Sequence, residues 1–426
     1  MHIPDKLRSI KASLLERSQQ RKRLRGPADL YYALADSIGM LDAGAWRELA
    51  KESGFFMSID YLKALESVLP LNLSPRYALI YCGEGMERKP VAAVYMQIAE
   101  ISLAQARPEK SAEQQGRVAP LERLAGSAKQ RVLTCGNLLT YGQHGIAFAP
   151  GVDSKLAWHG VAEVLYRVRQ AEKLVGKTHF IMIKDLHEPF AAQASYLENL
   201  SYRYVETEPN MLLALDPAWT SYDDYLASLA SKYRTKIRST IFKVMDDAAC
   251  TVEQVTDLSA VQQHIHQLYK AVQVNADFRP FELLPHYFPA LQQVAGERFR
   301  CSVVRRDNAM LGFLISVADG DTALAYHIGF DRGAAADLPI YLRLLHAGIA
   351  DAIALGCKQI SYGRTALEPK ASLGAKPQAF GILVRHRQPV LNKLMKRLLL
   401  GIEHDDAPER NPFKKSAPAP TPQNLA

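Results

Sequence analysis

A polar run at residues 361–374 follows a short apolar segment and contains side chains that can bind a substrate and move protons. Within it stand Tyr362, Arg364, Glu368 and Lys370. In α/β sheets, ligands bind in the crevice beyond the carboxyl ends of strands, so we predict an active site here. Lys370 would stabilise a developing oxyanion, and Glu368 would act as a base if burial raised its pKa. The structural alternative is a local ion-pair cluster of Arg364, Glu368 and Lys370.

The second candidate is an apolar strand predicted over 322–330, which contains Tyr326 and His327. If this strand lies beside the one that precedes the polar run, the two strands diverge beyond their crossover helix and leave a groove. Tyr326 and His327 would then face Tyr362 and Arg364 across it. The groove is predicted to be lined from both sides.

A loop of small residues at 331–337, with Arg332 and Gly333, leads from that strand into a helix. Backbone N–H groups at the positive end of a helix dipole suit a phosphate or pyrophosphate. A plain strand-to-helix turn is the alternative, with Asp337 as the N-cap residue.

A predicted helix over 221–245 has a basic face that includes Lys232, Arg234 and Arg238. Such a face could bind a polyphosphate or a tRNA backbone, or could simply be solvated. Its apolar stripe consists of Leu226, Leu229, Tyr233 and Ile237.

Several kinds of chemistry have no motif in this sequence. It contains no GxSxG, no GxxxxGK[ST] and no HExxH. His264 and His266 are two residues apart within a predicted helix and point to different faces, so they are poor metal co-ligands. The five cysteines are widely spaced without a CxxC, which predicts buried free thiols. We expect no metal and no tightly bound cofactor.

Composition predicts a globular protein of 426 residues in two domains, with 48% hydrophobic and 23% charged residues. The net charge of +8 favours anionic partners such as CoA, tRNA or anionic lipid, without requiring a DNA-binding module. No apolar run approaches the roughly 20 residues that span a bilayer, which predicts a cytoplasmic protein. Basic helical patterns near both ends are compatible with peripheral contact with the inner membrane face, and packing on the body of the protein is the alternative. The C-terminal pattern has Leu391, Leu394, Leu398 and Ile402 between basic residues.

Periodicity predicts a mixed α/β (α+β) fold. The first half is predicted to begin with a basic helix at 4–23 and helices at 43–53 and 59–68, before any strand. A hairpin at 77–82 and 91–101 follows, and then a flexible connection at 107–128. The remaining elements are a strand at 132–135, a helix at 154–174, a strand at 179–183, a helix at 190–200 and a strand pair within 202–215. The same order restarts with helices at 221–245 and 259–274, strands at 299–304, 311–317 and 322–330, a helix at 338–355 and strands at 359–362 and 381–385.

Three stretches, 54–62, 225–238 and 338–374, resemble the Fem-like branch of N-acyltransferases in the GNAT superfamily, and the resemblance spans about residues 45–390. It implies tandem GNAT-like domains with mixed, mostly antiparallel sheets flanked by helices. It also implies transfer of an acyl or aminoacyl group to an amine. Lys370 matches the lysine after the groove-lining strand, and Lys232, Arg234 and Arg238 match the basic opening of the second domain's first helix. The long arm of the tRNA-dependent enzymes and a full glycine-rich pyrophosphate loop are both missing, so the donor stays open.

The resemblance implies an N-acyltransferase that uses an acyl thioester, acyl-CoA above all, as co-substrate and a small-molecule amine as acceptor. The alternatives are a peptidyltransferase that uses aminoacyl-tRNA, and a non-catalytic binding or scaffold protein. The predicted division is a basic helical segment at 1–42, GNAT-like domains at 43–215 and 216–390, and a basic helix with a disordered proline-rich tail at 391–426. The predicted catalytic residues are Tyr326, His327, Tyr362, Glu368 and Lys370, and the predicted substrate-binding residues are Lys232, Arg234, Arg238, Arg332, Gly333 and Arg364.

Overall fold

The structure, a computed structural model, describes residues 26–27, 29–102, 129–274, 280–400, 408 and 410–414. The predicted basic helix at 4–23 and most of the tail lie outside these ranges, as does the connection predicted at 107–128.

Thirteen strands of the described chain form one mixed sheet in the order β1-β2-β3-β4-β6-β13-β7-β12-β11-β10-β9-β8, with β5 paired to β3. The pairs β4–β6 and β11–β12 are parallel and the others are antiparallel, which confirms the predicted fold class. The strands are β1 (Leu30–Ala35), β2 (Leu73–Cys82), β3 (Lys89–Ser102), β4 (Lys129–Cys135), β5 (Ile146–Phe148), β6 (Phe180–Leu186), β7 (Arg203–Ala214), β8 (Cys250–Gln254), β9 (Phe299–Arg306), β10 (Ala309–Asp319), β11 (Thr322–Phe330), β12 (Gln359–Ser361) and β13 (Lys376–His386).

Helices cover both faces of this sheet. They are α1 (Ala43–Ala50), α2 (Ile59–Val68), α3 (Ser154–Ala171), α4 (Phe190–Ala194), α5 (Tyr222–Ser228), α6 (Ser231–Ile237), α7 (Lys243–Asp247), α8 (Gln262–Gln273), α9 (Tyr287–Ala295), α10 (Ala334–Asp337), α11 (Ile340–Ala354), α12 (Leu367–Ser372) and α13 (Pro389–Leu400). A π-helical turn, Arg238–Phe242, connects α6 to α7. In the described part of the chain, no helix is both long and apolar enough to cross a bilayer.

The chain repeats one order of elements twice. A meander β2-β3-β4 leads through α3 to the parallel strand β6, and a meander β9-β10-β11 leads through α11 to the parallel strand β12. A parallel pair needs a crossover connection of this kind, usually a helix. The repeated order of elements predicted from the sequence is therefore present in the structure as two similar halves.

The last strand of each half lies beside the other half. β13 pairs with β6 of the first half, and β7 pairs with β12 of the second half. The two exchanged strands also pair with each other. The two halves therefore share one continuous sheet.

The two faces of the sheet are covered by different helices. Leu79 and Tyr95 point into a core shared with α1, α2, α8 and α9, which extends across both halves. Their strand neighbours Ile80 and Val94 point to the opposite face, where α3 packs. In the second half Leu314 and Ile360 face α11 on that same side.

The predicted long helix at 221–245 is interrupted after α5, because the C-terminal segment pairs there. The Ala230 N–H donates to Pro412 O at 2.8 Å, and the Lys414 N–H donates to Ser228 O at 3.1 Å. The Phe413 side chain is buried, with its ring 5.8 Å from that of Trp219. The prediction of a disordered tail is therefore wrong for residues 410–414.

Two strand predictions also need correction. β1 precedes α1 and pairs with β2, so a strand comes before the first helices. Residues 202–215 form one strand, not two, because a register shift opposite Gln378 and Phe380 accommodates Pro209 within β7. A bulge is one of the few places where a sheet accepts proline.

Candidate functional site

A cavity of about 320 Å³ lies over the exchanged strands, on the face of the sheet that carries the shared core. This volume is at the lower end of the range of small-molecule sites. Alternate residues of four neighbouring strands form its floor, because side chains two apart point to one face. They are Thr322 and Leu324 of β11, Gln359 and Ser361 of β12, Asn210 and Leu212 of β7, and Gln378 and Phe380 of β13.

Both halves of the chain form the walls. The first half supplies residues 52–54, the loop 141–144 between β4 and β5, and residues 187–190 after β6. The second half supplies the turn 319–321 between β10 and β11. The cavity therefore exists only when the halves are assembled.

An ionic cluster holds the loop 141–144 in place. The Asp185 carboxylate accepts a hydrogen bond from the Gly142 N–H at 2.9 Å. Lys184 Nζ donates to Thr140 O at 2.8 Å and pairs with Asp185, and Arg364 of the second half also pairs with Asp185. Burial by itself raises the pKa of Asp185, but Lys184 and Arg364 outweigh it and lower the pKa, so the carboxylate stays charged.

His144 joins the two halves at the wall of the cavity. Its Nε2 lies 2.9 Å from Asp319 Oδ2, and its Nδ1 lies 2.9 Å from Thr140 Oγ1. Asp319 also accepts a hydrogen bond from the Phe55 N–H. Because both ring nitrogens are occupied, His144 is held in one orientation and has no nitrogen available to a substrate.

His187 is the cavity histidine with an available nitrogen. Its Nδ1 is buried and has no hydrogen-bond partner, and its ring lies edge-on to Phe380 at 5.6 Å. Burial lowers the pKa of His187, against the opposing influence of Asp185 and Glu188. The imidazole is therefore neutral at pH 7 and able to accept a proton. The Gln143 Oε1 atom, also at this cavity, is likewise buried without a partner.

Hydrogen bonds fix the polar groups of the floor. Ser361 Oγ donates to Asn210 Oδ1 at 2.7 Å, and Asn210 Nδ2 donates to Gln378 Oε1 at 3.1 Å. An amide group carries two N–H donors. The Asn210 and Gln378 amides therefore retain donors for a bound carbonyl oxygen.

The ionisable residues that line the cavity are acidic, apart from its two histidines. They are Glu52, Glu188, Asp319 and Asp321, with no lysine or arginine among the lining residues. Asp319 is engaged by His144, and Asp321 pairs with Lys358 at 2.7 Å. The local field favours a cationic ligand over a polyphosphate.

The predicted groove between β11 and β12 is filled. The two strands are adjacent, as predicted, and pair from Thr322 to Leu324. Beyond that point the Tyr141 hydroxyl lies within hydrogen-bond distance of Ala325 O, at 2.9 Å, and Ser361 O, at 2.7 Å. A side chain of the first half thus closes the gap, so the expectation of an open groove is wrong.

The residues predicted to face each other across that groove lie on opposite sides of the sheet. Tyr326 is in the shared core, with its hydroxyl 2.5 Å from that of Tyr287. Tyr362 packs on the α11 side and donates to Leu345 O at 2.9 Å. His327 is surrounded by aromatic rings, including Phe288 at 5.2 Å, and its Nε2 has no partner. None of the three lines the cavity.

The polar run does not form the local ion-pair cluster offered as the structural alternative. Arg364 pairs with Asp185, and Glu368 pairs with Arg410 at 2.8 Å. Lys370 Nζ donates to the carbonyl oxygens of residues 363 and 364, at 3.3 and 2.6 Å. Burial lowers the pKa of Lys370 to about 8.

None of the predicted substrate-binding residues lines the cavity. Lys232 and Arg238 are exposed, and Arg234 donates to Leu229 O at 3.3 Å. Arg332 and Gly333 are also exposed. The Asp331 carboxylate accepts from the Ala334 N–H at 3.0 Å. Asp337 is the last residue of α10 and Pro339 is the N-cap residue of α11, so the expectation that Asp337 caps the following helix is wrong.

Sequence reasoning missed Tyr141, His144, His187 and Asp319. The sequence carried only faint signals for them, a glycine-containing loop after one strand and an Asp-Gly-Asp turn between two others. His144 and Asp319 are 175 residues apart, so no local pattern could have joined them.

Comparison with known proteins finds a family model that matches part of the chain. Residues 231–371 match the family model described as "Acetyltransferase (GNAT) domain". A search of curated proteins finds no match to the chain. This part of the chain is therefore similar to a GNAT acetyltransferase domain, in agreement with the superfamily resemblance of the sequence.

Several solved structures are similar to the chain. The "Crystal structure of FemX" has 12% identity and a TM-score of 0.46, covering 84% of this chain and 94% of that one. A "Tandem GNAT protein from the clavulanic acid biosynthesis pathway" has 13% identity and a TM-score of 0.46, covering 84% and 99%. The C-terminal domain of a putative lysylphosphatidylglycerol synthetase from Agrobacterium fabrum has 12% identity and a TM-score of 0.43, covering 73% and 86%.

Proposed function

We propose that the protein is an N-acyltransferase that moves an acyl group from a thioester donor, acyl-CoA above all, to an amine bound in the cavity over the exchanged strands. One observation carries this proposal. His187, whose Nδ1 is buried without a hydrogen-bond partner, lines a cavity whose floor holds amide donors. The GNAT domain match supports the reaction class.

The reaction needs a base, and His187 fits that role. An amine attacks a thioester carbonyl only as the free base and loses a proton once the C–N bond forms. His187 Nδ1 takes that proton, the C–S bond breaks, and the imidazolium returns the proton to the departing thiolate. An amine that arrives protonated releases its extra proton to solvent before the attack, and the proton lost on C–N bond formation passes through His187 to the thiolate.

The reaction also needs hydrogen-bond donors to the acyl oxygen, and the amide groups of the cavity floor can supply them. Charge develops on the acyl oxygen in the tetrahedral intermediate, and fixed N–H donors stabilise it. Asn210 and Gln378 are held by the chain of hydrogen bonds that begins at Ser361, so they need little rearrangement.

The acidic lining supports the choice of an amine acceptor. Glu52 and Glu188 attract a protonated amine toward the cavity. The same field opposes the phosphates of a CoA-like donor, so those phosphates would remain outside the cavity and only the acyl end would enter.

The test is amine-dependent thiol release from a panel of acyl-CoA thioesters, with melting temperature measured alongside. We expect His187→Gln to lower the transfer rate about 100-fold, the usual contribution of a general base, with an unchanged melting temperature. The control is His264→Gln, because His264 is exposed on α8 and should leave both quantities unchanged.

Two results would contradict the proposal in different ways. Full transfer activity in His187→Gln together with lost activity in Lys370→Ala would place the chemistry at the polar run. Transfer from aminoacyl-tRNA, with every thioester inert, would retain the site but replace the donor.

A further inference from the structure

Exposed apolar and basic side chains lie on the turn that follows α3 and at the beginning of α13. Leu174 is 97% exposed and Val175 is 73% exposed, on the turn that follows α3. Val390 is 70% exposed at the start of α13, and Leu391 and Leu394 follow at 40% and 41%. Monomeric proteins seldom expose such groups together unless they contact a partner. We name residues 169–179 and 385–394 the α3–α13 surface.

The two segments are held together by the sheet. The Arg387 N–H donates to His179 O at 2.9 Å, and Phe180 pairs with His386 in the register of β6 and β13. Asn392, buried on α13, accepts from the His386 N–H at 2.7 Å. The apolar side chains therefore have a fixed relative position.

Basic residues surround these apolar side chains. Lys173, Lys177, Arg387 and Lys393 are exposed, and Arg169 and Arg385 are partly buried. No ion pair involves any of these six residues in the described part of the chain. Burial and the nearby Arg385 and Arg387 lower the pKa of Arg169, as expected where like charges gather. Glu172, the acidic residue within these ranges, is buried and pairs with Arg76 and Arg131, so it does not offset the exposed cations.

We propose that the α3–α13 surface docks the protein on an anionic membrane. Apolar side chains rimmed by lysine and arginine match a bilayer interface, where the apolar groups enter the acyl boundary and the cations meet anionic headgroups. Tyr166, 49% exposed with the Arg169 guanidinium 5.6 Å from its ring centroid, adds an amphipathic ring of the type found at such interfaces.

Other occupants fit less well. A symmetric pair of chains would bring this positive surface against itself. A nucleic acid would satisfy the cations but would give Leu174 and Val175 no role. An anionic membrane would contact both the apolar side chains and the cations.

The experiment is sedimentation of the full chain with vesicles of phosphatidylcholine, or of phosphatidylcholine mixed with phosphatidylglycerol. We expect binding only to the mixed vesicles, weakened by salt. Each cation near an anionic surface strengthens binding about fivefold. The double charge reversal Lys173→Glu with Lys177→Glu should therefore weaken binding at least about 25-fold. The pair Leu174→Asp with Val175→Asp should also weaken binding, without changing the melting temperature.

Matched controls separate this surface from overall charge and hydrophobicity. Lys63→Glu with Lys236→Glu makes the same charge change on exposed residues elsewhere, and Met40→Asp alters an apolar residue that is 73% exposed outside the surface. Both controls should bind as the wild type does.

Three outcomes would overturn the proposal. The first is equal binding by wild type and both test variants, or no binding to the mixed vesicles. The second is a charge reversal that weakens binding while the aspartate pair has no effect, because that indicates a soluble polyanion site. The third is a dimer in gel filtration that the aspartate pair converts to a monomer.

Discussion

His187 and His327 show how surroundings decide what a histidine can do. Both have a buried ring nitrogen without a partner. His187 lines the cavity, whereas His327 is enclosed by the rings of Tyr269, Tyr287 and Phe288. Burial lowers the pKa of His327 to about 4. His327 does not line the cavity, so in that position it affects stability.

The low pKa of His327 predicts a pH-dependent stability. The unfolded chain binds a proton at this residue below its ordinary pKa of about 6.5, while the folded protein stays neutral there until about 4. Unfolding therefore takes up a proton in this window, and the free energy of unfolding falls as the pH falls, by at most about 1.4 kcal/mol per pH unit. Above about pH 6.5 the contribution of His327 to the free energy of unfolding is fully present.

Urea unfolding at several pH values checks this prediction. His327→Leu should remove that part of the slope between about pH 6.5 and 4, whereas His264→Gln, at an exposed position, should keep the wild-type slope. Equal slopes in His327→Leu and wild type would show that His327 titrates normally in the folded protein.

At the scale of elements, a segment from the C-terminal end stabilises the opening of the second half. Residues 412–414 pair with the chain between α5 and α6. The Phe413 ring packs against Trp219 and occupies the space beside Gly374. Gly374 has φ of +98°, and a Cβ there would lie 2.5 Å from the Phe413 ring. The missing side chain of Gly374 thus makes room for that ring.

Removing the Phe413 ring should therefore destabilise the protein. Phe413→Ala leaves a cavity among buried aromatic groups, and we expect the free energy of unfolding to fall by about 3 kcal/mol. Lys414→Ala, at the exposed neighbouring position, should change it by less than about 0.5 kcal/mol. A loss below about 1 kcal/mol in Phe413→Ala, measured by urea unfolding, would mean that the segment is loosely attached.

At the scale of the whole molecule, exchange of the last strands makes each half depend on the other. Without residues 216–426, β6 loses its neighbour β13, and β7 loses both of its partners. Unpaired backbone groups at a sheet edge favour association with other chains. The division near residue 215 therefore need not separate two independently folding units.

We expect the full chain to unfold in a single cooperative transition and each half alone to remain unfolded or aggregate. Calorimetry of the full chain and circular dichroism of separately produced 1–215 and 216–426 measure this. Co-production of the two pieces is the control, because it restores every strand pair and should yield a folded complex. Two separate transitions, or a folded isolated half, would contradict the expectation.

The sequence by itself determined most of the elements. Local spacing and capping predicted the helix at 59–68, where Ser58 accepts from the Tyr61 N–H at the N-terminus. Alternation between turns predicted the strand at 322–330, which the structure reproduces as β11. These features depend on neighbours in the chain, so a short window of sequence contains the information. Residues 221–245 were misread because a segment almost 200 positions away interrupts them.

Only the tertiary structure decided where the candidate site lies. The sequence placed chemistry around Tyr326, Tyr362 and Lys370, but the exchange of strands and the Tyr141 side chain between β11 and β12 direct the cavity elsewhere. The cavity is built from contacts such as His144–Asp319, whose partners belong to different halves. Such contacts follow from the packing and pairing of the whole chain, and residue type and spacing do not encode them locally.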